Sequence, residues 1–83
     1  MPDTNVTIIE WPHDAARLER LRRAAAPRII AVPRGLTPPA LRVDDDLEDW
    51  VRWPAPADEV AARASRLAER AEAFATVDGA RGD

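Results

Sequence analysis

Two short β-branched runs enclose a segment with helical periodicity, and this arrangement restricts the fold more than any other feature. Residues 6–9 read Val-Thr-Ile-Ile and residues 28–32 read Arg-Ile-Ile-Ala-Val, as buried strands do. Between them small and aliphatic residues recur at helical spacing: Ala15, Leu18, Leu21 and Ala25. Pro27 prevents the helix from continuing. The pattern therefore predicts a strand–helix–strand unit with parallel strands, its first strand buried on both faces.

The second half of the chain predicts one more strand and one long helix. Residues 49–53 alternate, which puts Trp50 and Arg52 on one face of the strand and Val51 and Trp53 on the other. A helix from about Asp58 to Ala75 carries an apolar stripe at alternating four- and three-residue steps: Val60, Ala64, Leu67, Ala71 and Phe74. Residues 41–43 are a candidate short strand. We expect an α/β domain over residues 1–75, with a small three- to four-stranded, mainly parallel sheet and two helices, and a disordered tail or linker over 76–83.

Composition narrows the function classes. The chain has 83 residues, no cysteine and one histidine, so a disulfide framework and zinc ligation by cysteine are excluded. All 12 cationic residues are arginines, interspersed with acids to give a net charge of −3, which does not predict direct contact with nucleic acid. No apolar run is long enough for a membrane span, and we expect no secretory signal because no charged segment precedes an apolar one. We expect a cytoplasmic protein.

The segment from Asp45 to Val60 resembles the end of a two-component receiver domain. In that family an acidic turn leads into the last strand, a Lys-Pro step and the final helix. Here Trp53-Pro54 stands at the Lys-Pro step, and the chain has no lysine. The resemblance implies a shortened receiver with a flavodoxin-like fold, and it implies a cis peptide bond before Pro54.

Two earlier segments extend the resemblance and show what is missing. Residues 6–14 look like the first receiver strand and its loop, where Glu10 matches the first magnesium-binding acid and Trp11 replaces the second. Residues 28–35 look like a later strand, with Pro33 where the family has Ser or Thr. No strand remains to carry the phosphoacceptor aspartate. Because phosphoryl transfer needs that aspartate, magnesium and a lysine, we expect no enzyme, no catalytic residue, no metal and no cofactor.

The resemblance also implies a function and a partner. On receiver topology the two helices lie on the same side of the sheet, which leaves the other face to be covered by a second protomer or another domain. We expect a homodimer. The chain is similar to the N-terminal half of actinobacterial winged-helix transcription regulators, whose DNA-binding domain would lie outside it. The leading hypothesis is a phosphorylation-independent regulatory and dimerisation module. Alternatives are a free-standing adaptor or antitoxin-like protein, and a small-molecule sensor using a hollow near Glu10, Pro33 and Trp53.

The candidates for an interface or a degenerate site are Glu10, Trp11, Pro33, Trp50, Trp53, Pro54, Val60, Leu67 and Phe74. Trp50 is as much a core candidate as an interface candidate, and Trp53 is placed in the core or in the former active-site hollow. The stripe on the last helix fits a dimer seam or packing on its own sheet.

Two further motifs favour ordinary structural roles. The acidic residues 44–49 lack the glycine and distal glutamate of a calcium loop, so they read as a solvated cluster. His13 and Asp14 adjoin a helix start, where Asp14 is expected to be the N-cap rather than half of an acid–base pair.

Overall fold

The computed structural model describes residues 6–41 and 46–81, with side chains as far as Ala73. The elements in chain order are β1 (Thr7–Glu10), α1 (Ala15–Arg23), β2 (Arg28–Pro33), β3 (Glu48–Trp53) and α2 (Ala57–Arg81). The three strands form one parallel sheet in the order β1-β2-β3. The predicted α/β class, parallel strands and two helices are confirmed.

Strand β2 is the centre of the sheet. Ile29 is level with Ile8 of β1 and Asp49 of β3, and Ile30 is level with Ile9 and Trp50. Because all strands run the same way, their carboxyl ends lie along one edge of the sheet.

The two helices cover opposite faces of the sheet, which corrects the expectation that they share one. Leu18 of α1 packs with Ile30 and Val32, whereas Leu67 of α2 packs with Ile29 and Val51. Consecutive residues of a strand point to opposite faces, so Ile29 and Ile30 put the helices on different sides. The receiver analogy misplaced α2, and the argument for a dimer from a wholly uncovered face no longer applies.

One part of the α2 face remains open, above β1. Ile9 is fully buried on the α1 side, but Ile8 on the α2 side is 41% exposed because α2 packs over β2 and β3. The expectation that β1 is buried on both faces is therefore wrong for Ile8.

Helix α1 ends earlier than its apolar pattern suggested. The last helical residue is Arg23, and Ala25 has a left-handed φ of 52°. The amide of Ala26 donates to the carbonyl of Leu21 at 3.0 Å, which closes the helix end by a six-residue turn. This reversal directs the chain through Pro27 into β2.

The connection between β2 and β3 contains no helix in its described part. Gly35, with a φ of 88°, turns the chain after β2, and residues 37–41 have no regular secondary structure. Three side chains hold this segment by its backbone: Trp11 donates to the carbonyl of Thr37, Arg22 to that of Ala40 and Arg52 to that of Leu36. Leu41 is outside any strand, and the rest of the short strand predicted at 41–43 lies outside the described residues.

Helix α2 is longer than predicted. It begins at Ala57 and continues to Arg81, beyond the expected end near Ala75. The backbone of most of the segment interpreted as a tail is therefore helical. The peptide bonds Trp11–Pro12 and Trp53–Pro54 are both cis, the second as predicted.

Candidate functional site

The carboxyl edge of the sheet is where open parallel α/β folds bind ligands, and the sequence candidates at strand ends lie there. Glu10 ends β1, Pro33 ends β2 and Trp53 ends β3. Glu10 and Pro54 are exposed, and Pro33 and Trp53 are half-buried. The described part of the chain contains no pocket.

Trp11 is a structural residue at this edge. Its backbone amide donates to the carbonyl of Ala31 at 2.9 Å, and its indole Nε1 donates to the carbonyl of Thr37 at 3.2 Å. Its ring packs against the core cluster under α1. Trp11 thus joins β1, β2 and the β2–β3 connection, at the position where the receiver pattern has its second acid.

Arg52 clamps the turn that follows β2. Its Nη1 donates to the carbonyl of Pro33 at 2.9 Å and to that of Leu36 at 2.7 Å. The guanidinium carbon also lies 5.0 Å from the ring centroid of Trp50, within cation–π range. Trp50, half-buried, packs against the α1 cluster, so the arginine and the ring support each other on that face.

Trp53 lies on the opposite face and packs with α2. It joins the cluster of Ile29, Val51 and Leu67, together with Val60. The structure therefore brings together three sequence candidates, Trp53, Val60 and Leu67, as helix-on-sheet packing. The dimer-seam interpretation does not hold for this part of the stripe. The side chain of Phe74 lies outside the described residues.

The acid–base and metal interpretations of two motifs gain no support from the geometry. Asp14 occupies the N-cap position of α1, as predicted, but its side chain makes no capping hydrogen bond: its Oδ2 accepts the backbone amide of Glu10 at 2.9 Å, and His13 is exposed beside it. Of the acidic cluster, Asp46 is described and pairs with Arg70 at 3.4 Å, and Asp44 and Asp45 lie outside the described residues. Among the described side chains, no three metal-binding groups converge.

A buried ionic cluster lies at the opposite end of the strands, on the α1 face. Glu48 Oε1 is 2.8 Å from both Arg22 Nε and Arg28 Nε, and the side chains of Glu48 and Arg28 are completely buried. Arg22 Nη2 also donates to Glu48 Oε2 at 2.8 Å. The hydrogen bond to Glu48 raises the pKa of Arg22, against an opposing effect of desolvation. The cluster ties α1 to β2 and β3.

Sequence reasoning missed this cluster. Arg28 was assigned to a buried strand and Glu48 to a solvated acidic cluster, so no partner was predicted for the buried charge of Arg28. The available signal was an arginine at the first position of an otherwise apolar strand, because buried charges are nearly always paired.

A second ion pair anchors α2 to the edge of β3. Arg63 Nη1 donates to Asp49 Oδ2 at 2.9 Å, and its Nη2 lies 3.4 Å from Oε1 of Glu59, one helical turn earlier. The hydrogen bond to Asp49 raises the pKa of Arg63. Because both partners are about one-third exposed, this pair orients α2 more than it stabilises the fold.

Within the described residues, no helix combines the length and apolar character that crossing a membrane requires. Comparisons with protein-family models, with curated proteins and with solved structures find no match to this chain.

Proposed function

We propose that this chain is a non-enzymatic, receiver-like module that regulates and dimerises a bacterial transcription regulator in the cytoplasm, without phosphorylation. In this proposal the fold is a shortened flavodoxin-like receiver, and the DNA-binding domain lies outside the chain. The resemblance of residues 45–60 to a receiver's end is its sequence basis.

The observation that carries the proposal is the packing of Trp53. At the position of the receiver lysine, an indole packs between β3 and α2 with Val51, Val60 and Leu67. A packed apolar ring cannot neutralise the charge that develops on a transferred phosphoryl group. Trp11, at the position of the second acid, is likewise engaged in packing and in a hydrogen bond to Thr37. Both features support a contact role without phosphotransfer.

Two measurements on the 83-residue chain test this proposal. Sedimentation equilibrium over a wide concentration range is expected to give a reversible dimer. Incubation with acetyl phosphate and magnesium is expected to give no stable phosphorylation by intact-mass analysis. Stoichiometric phosphorylation would contradict the absence of phosphotransfer, and a monomer at every concentration would contradict dimerisation.

The adaptor hypothesis is the second candidate, favoured by the open part of the α2 face. Ile8, 41% exposed there, lies on an edge strand, and this is a surface that another protein can cover. If the chain is an adaptor, it stays monomeric alone, and an Ile8→Glu variant folds normally but loses its partner. If it is a dimerisation module whose interface does not include Ile8, the Ile8→Glu variant forms the same dimer as the wild type in sedimentation equilibrium.

A further inference from the structure

The apolar stripe of α2 extends beyond the sheet on which it packs. Val60, Ala64 and Leu67 contact the sheet, and Leu67 is the last residue of α2 in the described cluster. The helix continues to Arg81. At 1.5 Å per residue, this extension of about 14 residues is roughly 21 Å long. The stripe continues along it through Ala71, which is half-buried, to Phe74 at the next position.

We infer that residues 68–81 of α2 pair antiparallel with the same segment of a second copy, around a two-fold axis near Phe74. The inference rests on the proposed dimerisation role and names its surface. A parallel pairing through the stripe is excluded by shape: each sheet lies on the stripe side of its own helix, so two parallel helices would bring both sheets into the same space. In the antiparallel arrangement each sheet lies past the end of the other α2.

Charge along the extension fits the antiparallel arrangement. With the axis at Phe74, Arg70 is level with Asp78 of the second copy, and Ala71 is level with Val77. These two positions thus carry opposite charges towards each end of the overlap. The residues between them are small or apolar except Glu72 and Thr76, which are level with each other across the axis and so bring no two like charges together. The ion pair that Arg70 makes within the chain, with Asp46 at 3.4 Å, is largely exposed and therefore weak. Arg70 can exchange it for the partner's carboxylate at little cost.

Sedimentation equilibrium of the full chain and of two glutamate variants tests the surface. Phe74→Glu is expected to raise the dimer dissociation constant roughly 30-fold or more, as loss of a central interface aromatic does. Ala73→Glu is the matched control, because Ala73 is exposed and lies on a different side of the same helix turn; it should leave the constant within about twofold. Arg70→Asp and Asp78→Arg should each weaken the dimer, and the double variant should recover it.

Cysteine cross-linking tests the orientation without using the Phe74→Glu variant. Because the chain has no cysteine of its own, only the introduced cysteines can form disulfides. Mixed Ala71→Cys and Val77→Cys proteins should form mainly the mixed disulfide-linked dimer under mild oxidation. Predominant self-linkage of each protein would overturn the antiparallel arrangement. A wild-type dimer that persists in Phe74→Glu would overturn this surface and leave the proposed function standing. A wild-type monomer at every concentration would overturn both.

Discussion

Asp14 satisfies both backbone groups of Glu10 that point away from the sheet. Its Oδ2 accepts the Glu10 amide at 2.9 Å, and its own amide donates to the Glu10 carbonyl at 2.7 Å. On the other edge, Asp49 Oδ1 accepts the amide of Trp50 at 2.8 Å. Both edge strands therefore have an outward amide bonded to a carboxylate, which removes part of the template that an unpaired edge offers to other chains.

Replacing the Asp14 carboxylate should destabilise the fold and expose the edge of β1. We expect Asp14→Ala to lower the free energy of unfolding by about 1–2 kcal/mol, because the Glu10 amide loses a charged acceptor. Urea denaturation followed by tryptophan fluorescence measures the loss. Asp14→Asn, which keeps a side-chain oxygen, should recover much of it. Equal stability of Asp14→Ala and the wild type would show that water replaces the carboxylate without cost.

The buried Glu48 should be among the most sensitive positions. Glu48→Ala removes the partner of two arginines, Arg22 and Arg28, and should cost about 3–5 kcal/mol, enough to leave so small a domain largely unfolded. The control is Glu19→Ala, which removes only the exposed partner of Arg22 and should change stability by under about 0.5 kcal/mol. A folded Glu48→Ala protein by circular dichroism would mean that the arginines find other partners or reach solvent.

Arg52 should not be replaceable by lysine. Its guanidinium donates to two carbonyls while lying over the Trp50 ring, and an ammonium reproduces neither geometry well. We expect Arg52→Lys to lose about 1–2 kcal/mol and to change the fluorescence of the tryptophans. Arg34, for which the described residues offer no hydrogen bond or ion pair, provides the control: Arg34→Lys should behave like the wild type in both measurements.

Ala25 is a position where a substitution should stabilise the protein. Its φ of 52° is unfavourable for any residue with a Cβ, so Ala25→Gly should raise the free energy of unfolding by about 0.5–1 kcal/mol. Ala24 has an ordinary helical φ of −82°, and Ala24→Gly should instead lower it by a similar amount. Opposite shifts of the urea midpoint in these neighbouring variants would establish the left-handed helix end. Destabilisation by both would contradict it.

Stability should be constant between about pH 9 and pH 11, because the chain has no lysine, tyrosine or cysteine to titrate there. Interactions with Glu48 and Asp49 raise the pKa values of Arg22 and Arg63 in the folded state. Their stabilising contribution is therefore complete below the ordinary arginine pKa, and it is lost only as pH rises through the raised folded values. Urea midpoints at three pH values in this window check the prediction, and a steady decline across it would contradict it.

Hydrophobic periodicity was sufficient to predict the order and type of the elements. The alternation at residues 49–53 correctly separated Trp50 and Arg52 from Val51 and Trp53, because each face of β3 is covered by a different helix. Periodicity does not determine which face of the sheet a helix covers. For α2 that choice came from a family analogy, and it was wrong.

The contacts that position the strand-end residues were not predictable from local pattern. Asp14, an ordinary cap candidate, binds the preceding strand instead, and Arg28 is neutralised by Glu48, twenty positions later in sequence. The Arg28–Glu48 pair depends on the parallel register, which places the two residues level on neighbouring strands, whereas the Asp14 contact depends on the turn between β1 and α1. The end of α2 was placed too early because the small and polar residues 76–83 were interpreted as a tail, whereas the helix continues to Arg81.

The backbone of the β2–β3 connection is held from outside by Trp11, Arg22 and Arg52, all of which donate to its carbonyl oxygens. Every residue type presents the same carbonyl, so these three bonds place no demand on the side chains of the connection itself. Leu36 and Leu41 are exposed on it. The identity of these two surface residues can therefore change while the path of the chain stays fixed, which leaves this part of the molecule free to acquire new contacts without refolding the sheet.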